Sequence, residues 1–281
     1  MKLVKSSYSI IDQPVNLEDV YKQIEIAGRV CYKSEDKITE NSAKTFVDKI
    51  EKLNHGSVLE HGTIYLKIKL SNISVEDTYF INNVKRIFSS NYYSQLNEVH
   101  DYFKITYYIT TNYRVLIENF SQEEIFKLLS YICPPEENHE KRTTVKFITS
   151  IGIAREFIRH RVFSFSNEST RYCNYNRDKF NNEITFISTY WLDNCSPISK
   201  DLYITGLRKS EKTYLNLIDE GLQAQQAREV LPLCTKSELV MTGFNKDWKR
   251  FFELRDTKKA HPDAAILVHS LHEEFKQKNY L

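Results

Sequence analysis

The chain has 281 residues, of which 41% are hydrophobic and 27% charged, and its formal net charge is +2. This composition is typical of a globular protein, and the near-balance of charges excludes a general attraction to nucleic acid or to a membrane surface. No apolar run approaches the roughly 20 residues that span a bilayer, so we expect no membrane association.

The first part of the chain predicts two helices and a strand. Asn16 is a candidate cap for a helix that runs to about Tyr32, with Asp19 placed as in a capping box. A second helix fits Glu40 to Leu53, where the apolar residues share one face. From Thr63 to Leu70 the aliphatic residues alternate strictly, which predicts a half-buried strand.

Further elements follow in a mixed order. Strands are predicted at 104–110, 143–149 and 184–188, and helices at 151–158, 200–228 and 264–278. Another helix begins at Ser121 with a capping box, and Cys133-Pro134-Pro135 is expected to end it. Because the order has no regular βαβ alternation, repeat or linker, it predicts one α+β domain over residues 1–281.

Two features indicate the cellular compartment. The five cysteines are odd in number, widely spaced and without a Cys-x-x-Cys pair, which argues against a disulfide framework and against a zinc site. The first residues also lack the long apolar stretch of a signal peptide. We therefore expect a cytoplasmic protein with reduced thiols and no bound metal.

The most informative stretch follows the helix predicted at 151–158. Arg159-His160-Arg161 is followed, after the seven residues from Val162 to Glu168, by Ser169 and then by Arg171-Tyr172. Arginine and histidine donors beside clustered hydroxyl groups are suited to binding phosphates. A solvated helix face is the structural alternative for the triplet, but a polar loop at the end of a buried helix favours a ligand site.

This signature resembles that of the flavin-dependent thymidylate synthases in both spacing and residue types. Three further stretches are similar to that family, namely His55 to His61 before a strand, Gln226 to Pro232, and Leu254-Arg255 at the end of a helical run. The resemblance covers roughly residues 20 to 275. It is weak from Ser71 to Phe103, which we interpret as an insertion.

The resemblance implies a fold and an activity. The fold would be a central, mostly antiparallel sheet flanked by helices, assembled as a homotetramer with shared active sites. The activity would be reductive methylation of dUMP to dTMP, with FAD as hydride carrier and with methylenetetrahydrofolate and NADPH as co-substrates. The family uses no cysteine nucleophile, so we expect Cys173, beside the signature, to be a packing residue.

The resemblance also assigns residues to roles. Those matching the flavin-binding positions are Thr63, Arg159, His160, Arg161, Asn245 and Lys246. Those matching the dUMP-binding positions are Glu156, Asn167, Ser169, Thr170, Arg171, Tyr172, Arg228 and Arg255, with Arg228 reaching the phosphate of a neighbouring subunit. The catalytic candidates are Arg255, His61 and Ser169, and Arg255 would stabilise negative charge developing on the uracil ring.

Several of these residues have structural alternatives. His55 and His61 would otherwise be surface imidazoles in a turn. Glu156 would form an ion pair with Arg159 on the same helix, and Arg228 would form a surface pair with Glu229.

The sequence departs from the family at three positions. Ile151 stands where relatives often carry arginine, and Arg155 is a candidate substitute. Asn167 replaces a glutamine or glutamate, which keeps hydrogen bonding without a charge. Phe244 replaces a flavin-contacting asparagine, although Asn245 is adjacent to it.

Two other classes of function stay open at this point. A nucleic-acid-binding module would use the basic triplet on phosphates and aromatic rings on bases, but one compact basic cluster in a near-neutral chain speaks against it. A catalytically inactive relative that binds nucleotide or flavin would explain the three departures. Turnover would distinguish this relative from an enzyme.

Overall fold

The computed structural model describes residues 1–70, 75–101, 104–171, 173–175 and 182–281. The strands are β1 (Lys2–Val4), β2 (Ser7–Ile11), β3 (Thr63–Leu70), β4 (Gln95–Asp101), β5 (Lys104–Asn112), β6 (Arg142–Ser150), β7 (Ser164–Asn167), β8 (Thr185–Ile187) and β9 (Lys236–Phe244). The helices are α1 (Leu17–Tyr32), α2 (Ser42–Lys52), α3 (Gly56–Leu59), α4 (Val75–Ser90), α5 (Tyr113–Asn119), α6 (Gln122–Leu129), α7 (Ile151–Phe157), α8 (Pro197–Asp219), α9 (Ala224–Ala227), α10 (Asn245–Arg255) and α11 (Pro262–Gln277). Short 3₁₀ turns lie at Glu35–Lys37 and Arg228–Val230.

The described strands form antiparallel sheets together with one parallel pair. A four-stranded sheet has the order β2-β6-β9-β7, and a three-stranded sheet has the order β3-β5-β4. All neighbours in these two sheets are antiparallel, whereas β1 and β8 pair in parallel. Helices and mostly antiparallel strands together confirm the predicted α+β class, with the strands divided among separate sheets.

Each of the two larger sheets carries its own hydrophobic core. Helices α1, α2, α4, α5 and α6 pack against the three-stranded sheet, with Ile64, Leu66 and Ile109 fully buried. Helices α7, α10 and α11 cover the four-stranded sheet with an aromatic cluster that includes Phe147 and Trp248. Helix α1 also contacts β9, so that one helix touches both sheets.

Local sequence signals account for most helix starts. The Asn16 side chain accepts the Asp19 N–H at 3.0 Å, as expected, but the Asp19 carboxylate accepts from Val15 rather than from Asn16. At α6 the capping box of Ser121 and Glu124 is complete. These caps satisfy amide groups that have no partner within the helix.

Three expectations about local structure were wrong. Strand β3 has the predicted bounds but is not half-buried, because Thr63 and Tyr65 on its other face are buried by hydrogen-bonded polar neighbours. Helix α6 ends at Leu129, well before Cys133, because the Cys133 N–H pairs with the Tyr65 carbonyl of β3. Part of the polar loop expected after Arg161 is strand β7, which pairs with β9.

The segment interpreted as an insertion contains regular structure. It holds α4 and β4, and β4 adds a third strand to the sheet of β3 and β5. Residues 71–74 and 102–103 of this segment lie outside the described residues. Within the described part of the chain, no helix has the length and apolar character required to cross a membrane.

Candidate functional site

A polar cavity of about 560 Å³ lies where β7 ends and α7 begins. The signature residues that line it are Asn167, Ser169 and Thr170, and Arg228 lines it as well. Arg228 donates from Nη1 to the Thr170 hydroxyl at 3.2 Å. The structure therefore brings together four of the residues predicted to bind dUMP.

Helix α7 supplies the opposite wall of this first cavity. Ile151 and Arg155 are one turn apart on α7, and both line the cavity. The Ile151 N–H donates to the Thr235 carbonyl at 2.9 Å, and the Gly152 N–H donates to the Leu233 carbonyl at 3.0 Å. Arg155 therefore places a positive charge on the part of the cavity wall formed by α7, to which Ile151 contributes none.

The pairing of β7 with β9 sets the position of the signature loop. Asn167 is the last paired residue of β7, and its Oδ1 accepts the Ser237 hydroxyl at 2.9 Å. The Ser169 N–H then donates to the Cys31 carbonyl at the end of α1, at 3.3 Å. These two contacts fix the start of the loop that carries Ser169 and Thr170.

A network of buried charges lies beside this loop and was missed by the sequence analysis. Glu238 on β9 contacts Lys33, Lys146 at 2.6 Å and Lys236 at 2.5 Å. Lys236 also binds Glu168 at 2.9 Å, and Glu35 is the third carboxylate, bound by Lys33 at 2.8 Å. Burial alone would raise the pKa of Glu238. The neighbouring Lys236, Lys146 and Lys33 outweigh this effect and hold the pKa below its usual range.

These network residues carry no signal in the sequence because they come from four separate segments. Lys33 follows α1 and takes a left-handed conformation with φ of 49°. Lys146 lies on β6, and Lys236 lies two residues before Glu238 on the same face of β9. Only the folded chain places these groups together.

Arg255 lies in a second place, at the end of α10 and beside α7. Its Nη1 donates to the Glu156 carboxylate at 2.8 Å, and its Nη2 donates to the Glu156 carbonyl at 2.8 Å. Its Nε donates to Nε2 of His160 at 3.1 Å. Glu156 therefore pairs with Arg255 rather than with Arg159, and two of the five Arg255 N–H groups have no partner among the described residues.

The ring of His160 can accept this bond only while Nε2 carries no proton. Burial, together with the positive charges of Arg255 and Arg250, lowers the pKa of His160 to about 4. The imidazole is consequently neutral near pH 7 and serves as an acceptor. A hydrogen bond from an arginine to a neutral imidazole fixes the plane of the guanidinium group.

His61 and Thr63 occupy a third place, in the interior of the chain. His61 is fully buried, so it is not a surface imidazole, and its Nδ1 contacts the Thr242 hydroxyl at 2.8 Å. Burial and the nearby Arg142 lower the pKa of His61 to about 3. Because Thr242 and Ser237 are five positions apart on β9, this contact lies roughly 16 Å from the first cavity.

Thr63 is held within the same buried polar cluster. Its N–H donates to Oε1 of Gln23 at 2.8 Å, and its hydroxyl accepts from Nη1 of Arg142 at 3.3 Å. Arg142 was not predicted as a site residue. Its guanidinium also donates to the Glu60 carbonyl from both Nη atoms at 3.3 Å.

Asn245 and Lys246 lie in a fourth place, at the start of α10. Asn245 accepts the Thr143 hydroxyl at 2.7 Å, and the Lys246 ammonium lies 5.3 Å from the ring centre of Phe244. Phe244, Lys246 and Asp247 line a cavity of about 420 Å³ together with residues 88–92 and 94–96. Much of the loop between α4 and β4 forms part of the wall of this second cavity.

The remaining predicted residues are exposed or undescribed. Arg159, Arg161 and Arg171 are exposed. Tyr172 lies outside the described residues. Arg228 also forms the predicted surface pair with Glu229, at 3.6 Å. The single chain therefore does not gather the predicted residues at one point but distributes them over several faces.

The first cavity has the chemistry of an anion site with a polar extension. Arg155 and Arg228 supply positive charge, and the hydroxyls of Ser169 and Thr170 supply donors. Glu168 and Glu229 also line the cavity, but Glu168 is paired with Lys236 at 2.9 Å and Glu229 with Arg228 at 3.6 Å. The Asn167 amide adds a further polar group to the lining. Such a set binds a phosphate at one end and leaves hydrogen-bonding groups for the remainder of a nucleotide.

A family model and the curated relatives that match this chain all concern thymidylate synthases. The family model described as "Thymidylate synthase complementing protein" matches residues 15–143 and 140–279. A probable flavin-dependent thymidylate synthase of Paramecium bursaria Chlorella virus 1 is 29% identical over 133 residues, which cover 43% of this chain and 62% of that protein. The flavin-dependent thymidylate synthase of Geobacter sulfurreducens is 26% identical over 121 residues, which cover 42% and 50%.

These alignments span between half and just under two thirds of the length of the curated relatives that the chain matches. A solved structure of a UMP/dUMP methylase PolB from Streptomyces cacaoi, bound with 5-Br dUMP, is 15% identical and superposes with a TM-score of 0.44. That superposition covers 99% of this chain and 93% of the other.

Proposed function

This chain belongs to the family of thymidylate synthase complementing proteins, and from that membership we propose that it converts dUMP to dTMP. Methylenetetrahydrofolate would supply the carbon, NADPH the reducing equivalents, and FAD would carry the hydride. The relatives that match it in sequence are named flavin-dependent thymidylate synthases. The unit that performs the reaction would be a single domain with its added segment at about 71–103.

The observation that carries this proposal is the grouping of Asn167, Ser169, Thr170 and Arg228 around one cavity. These residues come from two segments that lie far apart in the sequence, and both segments resemble the family. We assign the dUMP phosphate to Ser169, Thr170 and Arg228, with Arg171 and Tyr172 from the same signature. The resemblance would have Arg228 reach the phosphate from a neighbouring subunit, whereas its contact with Thr170 lies within one chain. Arg155 would add the charge that Ile151 lacks.

Arg255 would act on the uracil ring. Its two available N–H groups can donate to a carbonyl edge, and a fixed guanidinium stabilises negative charge that develops there. Glu156 and His160 hold the group in one orientation, which lowers the reorganisation needed during the reaction. Glu156 and His160 would therefore position Arg255, in addition to the dUMP contact assigned to Glu156 and the flavin contact assigned to His160.

The interior of the chain has features that fit a bound flavin nucleotide. Buried polar atoms without a hydrogen-bond partner among the described residues include Nδ2 of Asn112 and Nε of Arg142. Such atoms are costly to bury unless a ligand completes their hydrogen bonds. The residues we assign to the flavin are Thr63, Arg159, His160, Arg161, Asn245 and Lys246. When bound, the flavin would supply hydride transfer, which no side chain can perform.

A homotetramer with shared active sites is part of the proposal. Its support is the separation of the predicted residues into distinct places on one chain, since several subunits could bring those places together. No cysteine nucleophile is assigned. Cys173 is buried among Tyr175, Ile184 and Phe186, which is the environment of a packing residue.

The test is dTMP formation from dUMP, methylenetetrahydrofolate and NADPH, with and without added FAD. Product that depends on FAD would support the proposal. Bound flavin without product would identify an inactive relative. Absence of both, together with binding to DNA or RNA that weakens steeply with salt, would favour a nucleic-acid-binding module instead.

A further inference from the structure

Glu168, the residue before Ser169 in the signature, continues the contact of β7 with β9 beyond the last paired residue of β7. Its N–H donates to the Glu238 carbonyl at 2.8 Å. Its Oε2 accepts from the Glu238 N–H at 3.2 Å and from the Lys236 ammonium at 2.9 Å. The chain that enters the loop is therefore bound to one point of β9 through both its backbone and its side chain.

The Glu168 carboxylate lies beside the first cavity without being open to it. Glu168 is among the residues that line the cavity, yet its side chain is only 1% exposed. A carboxylate is costly to bury unless a cation and N–H donors satisfy it. Lys236 and the Glu238 N–H satisfy Oε2, and Oε1 is buried with no partner among the described residues. The carboxylate would therefore act on a bound nucleotide through the residues that follow it.

The two residues that follow Glu168 belong to the proposed phosphate site. Ser169 and Thr170 both line the first cavity, and the Thr170 hydroxyl accepts from Nη1 of Arg228 at 3.2 Å. Both lie outside the helices and strands, so their positions depend on contacts with other segments. Ordering an unanchored loop costs conformational entropy, and a ligand that must order it binds more weakly. An anchor directly before Ser169 removes part of that cost.

The network of buried charges connects the two elements that support this loop. The Glu238 carboxylate of β9 contacts Lys33, which directly follows α1. The loop is bound to the same two elements, because Glu168 is held by β9 and the Ser169 N–H donates to the Cys31 carbonyl of α1 at 3.3 Å. The network thus fixes the two supports of the loop relative to each other.

We propose that Glu168 and Lys236 are positioning residues for the substrate phosphate, and that their ion pair holds Ser169 and Thr170 in the arrangement that receives the phosphate of dUMP. This inference rests on the proposed function, which supplies the phosphate-bearing substrate. It adds two residues that act on binding without touching the nucleotide. It also gives the network of buried charges a role in substrate binding besides its role in stability.

The test measures dUMP binding by titration calorimetry with FAD present, and without the folate co-substrate or NADPH, so that no turnover occurs. Glu168→Ala should weaken dUMP binding by about tenfold, through loss of a charge-assisted hydrogen bond that orders the loop. Glu168→Gln keeps an acceptor oxygen for Lys236 and for the Glu238 N–H, so it should recover most of the affinity. In turnover, Glu168→Ala should raise the KM for dUMP and leave kcat within about threefold, as expected for lost ground-state binding.

Glu35→Ala is the matched control. Glu35 is the third carboxylate of the same network, but it is bound to Lys33 and Lys146 and not to the loop. It should lower the melting temperature, as Glu168→Ala does, and leave dUMP affinity within about twofold. If Glu168→Ala does not fold, Lys236→Met and Lys146→Met decide, because only Lys236 binds Glu168, and only its loss should weaken dUMP binding.

Equal dUMP affinities in Glu168→Ala and Glu35→Ala, or in the two lysine variants, would overturn the inference. A Glu168→Gln variant that binds dUMP as weakly as Glu168→Ala would do the same. If the wild-type protein makes dTMP and Glu168→Ala binds dUMP normally, only this inference fails. If the variants differ as expected but the wild-type protein makes no dTMP, the positioning role stands and the proposed function fails. A wild-type protein that binds no dUMP overturns both.

Discussion

Replacing Glu238 with glutamine tests whether the buried charge network stabilises the fold. The Glu238 carboxylate is only 7% exposed and contacts three lysines. Glutamine has no charge, so the three lysines of the variant face only two carboxylates, and one positive charge is unmatched. Breaking a buried ion pair costs about 3–5 kcal/mol when the partner is left alone. Each lysine here keeps a second carboxylate, either Glu35 or Glu168, so we expect about 2–3 kcal/mol.

The assay is urea unfolding of both proteins at pH 7 and at lower pH. The pKa of Glu238 in the folded chain is below that of the unfolded chain, so its contribution is present above pH ~4.3 and is lost as the pH falls through the folded value. The deficit of the variant should therefore shrink on acidification. Glu253→Gln breaks an exposed pair with Arg250 and should cost less than about 1 kcal/mol. A Glu238→Gln deficit no larger than this control, or one that is constant with pH, would refute the reasoning.

Three further predictions concern the reaction. Arg155→Ala should raise the apparent KM for dUMP by roughly tenfold through loss of a charged contact at the first cavity, whereas an unchanged KM would exclude Arg155 from phosphate binding. Cys173→Ala should keep most dTMP synthesis, and near-total loss would indicate a nucleophile. His160→Ala should lower kcat about 10-fold by releasing the Arg255 guanidinium, and His160→Gln, which retains an acceptor oxygen, should recover part of it. Equal activity of the two His160 variants would contradict the positioning role.

The elements that could be predicted from the sequence are those specified by short-range signals. The capping residues Asn16 and Ser121 marked the starts of α1 and α6, and strict alternation marked β3 with its exact bounds. The end of α6 was not predictable in this way. It is set by the pairing of Cys133 with β3, a contact between segments that are distant in the sequence.

The candidate site shows the same division between residues that a short sequence signal identifies and residues that only the folded chain brings together. Ser169 and Thr170 belong to one contiguous signature that could be read from the sequence. The resemblance had Arg228 reach the phosphate of a neighbouring subunit, and only the fold shows Arg228 beside Thr170 of its own chain. Arg142 gave no signal, because what distinguishes it is burial with no carboxylate partner among the described residues. Burial and charge pairing are properties of the folded chain, and a single sequence does not display them.

The charge network around Glu238 also has a consequence for how this sequence can diverge. Its three lysines and three glutamates sum to zero, so electrical neutrality belongs to the set rather than to any one position. A lone charge-changing substitution disturbs that sum, whereas exchanging a lysine and a glutamate together for apolar residues preserves it. Among descendants of this protein, these positions should therefore vary in pairs, and a site-by-site count of identities would understate how strongly they are constrained.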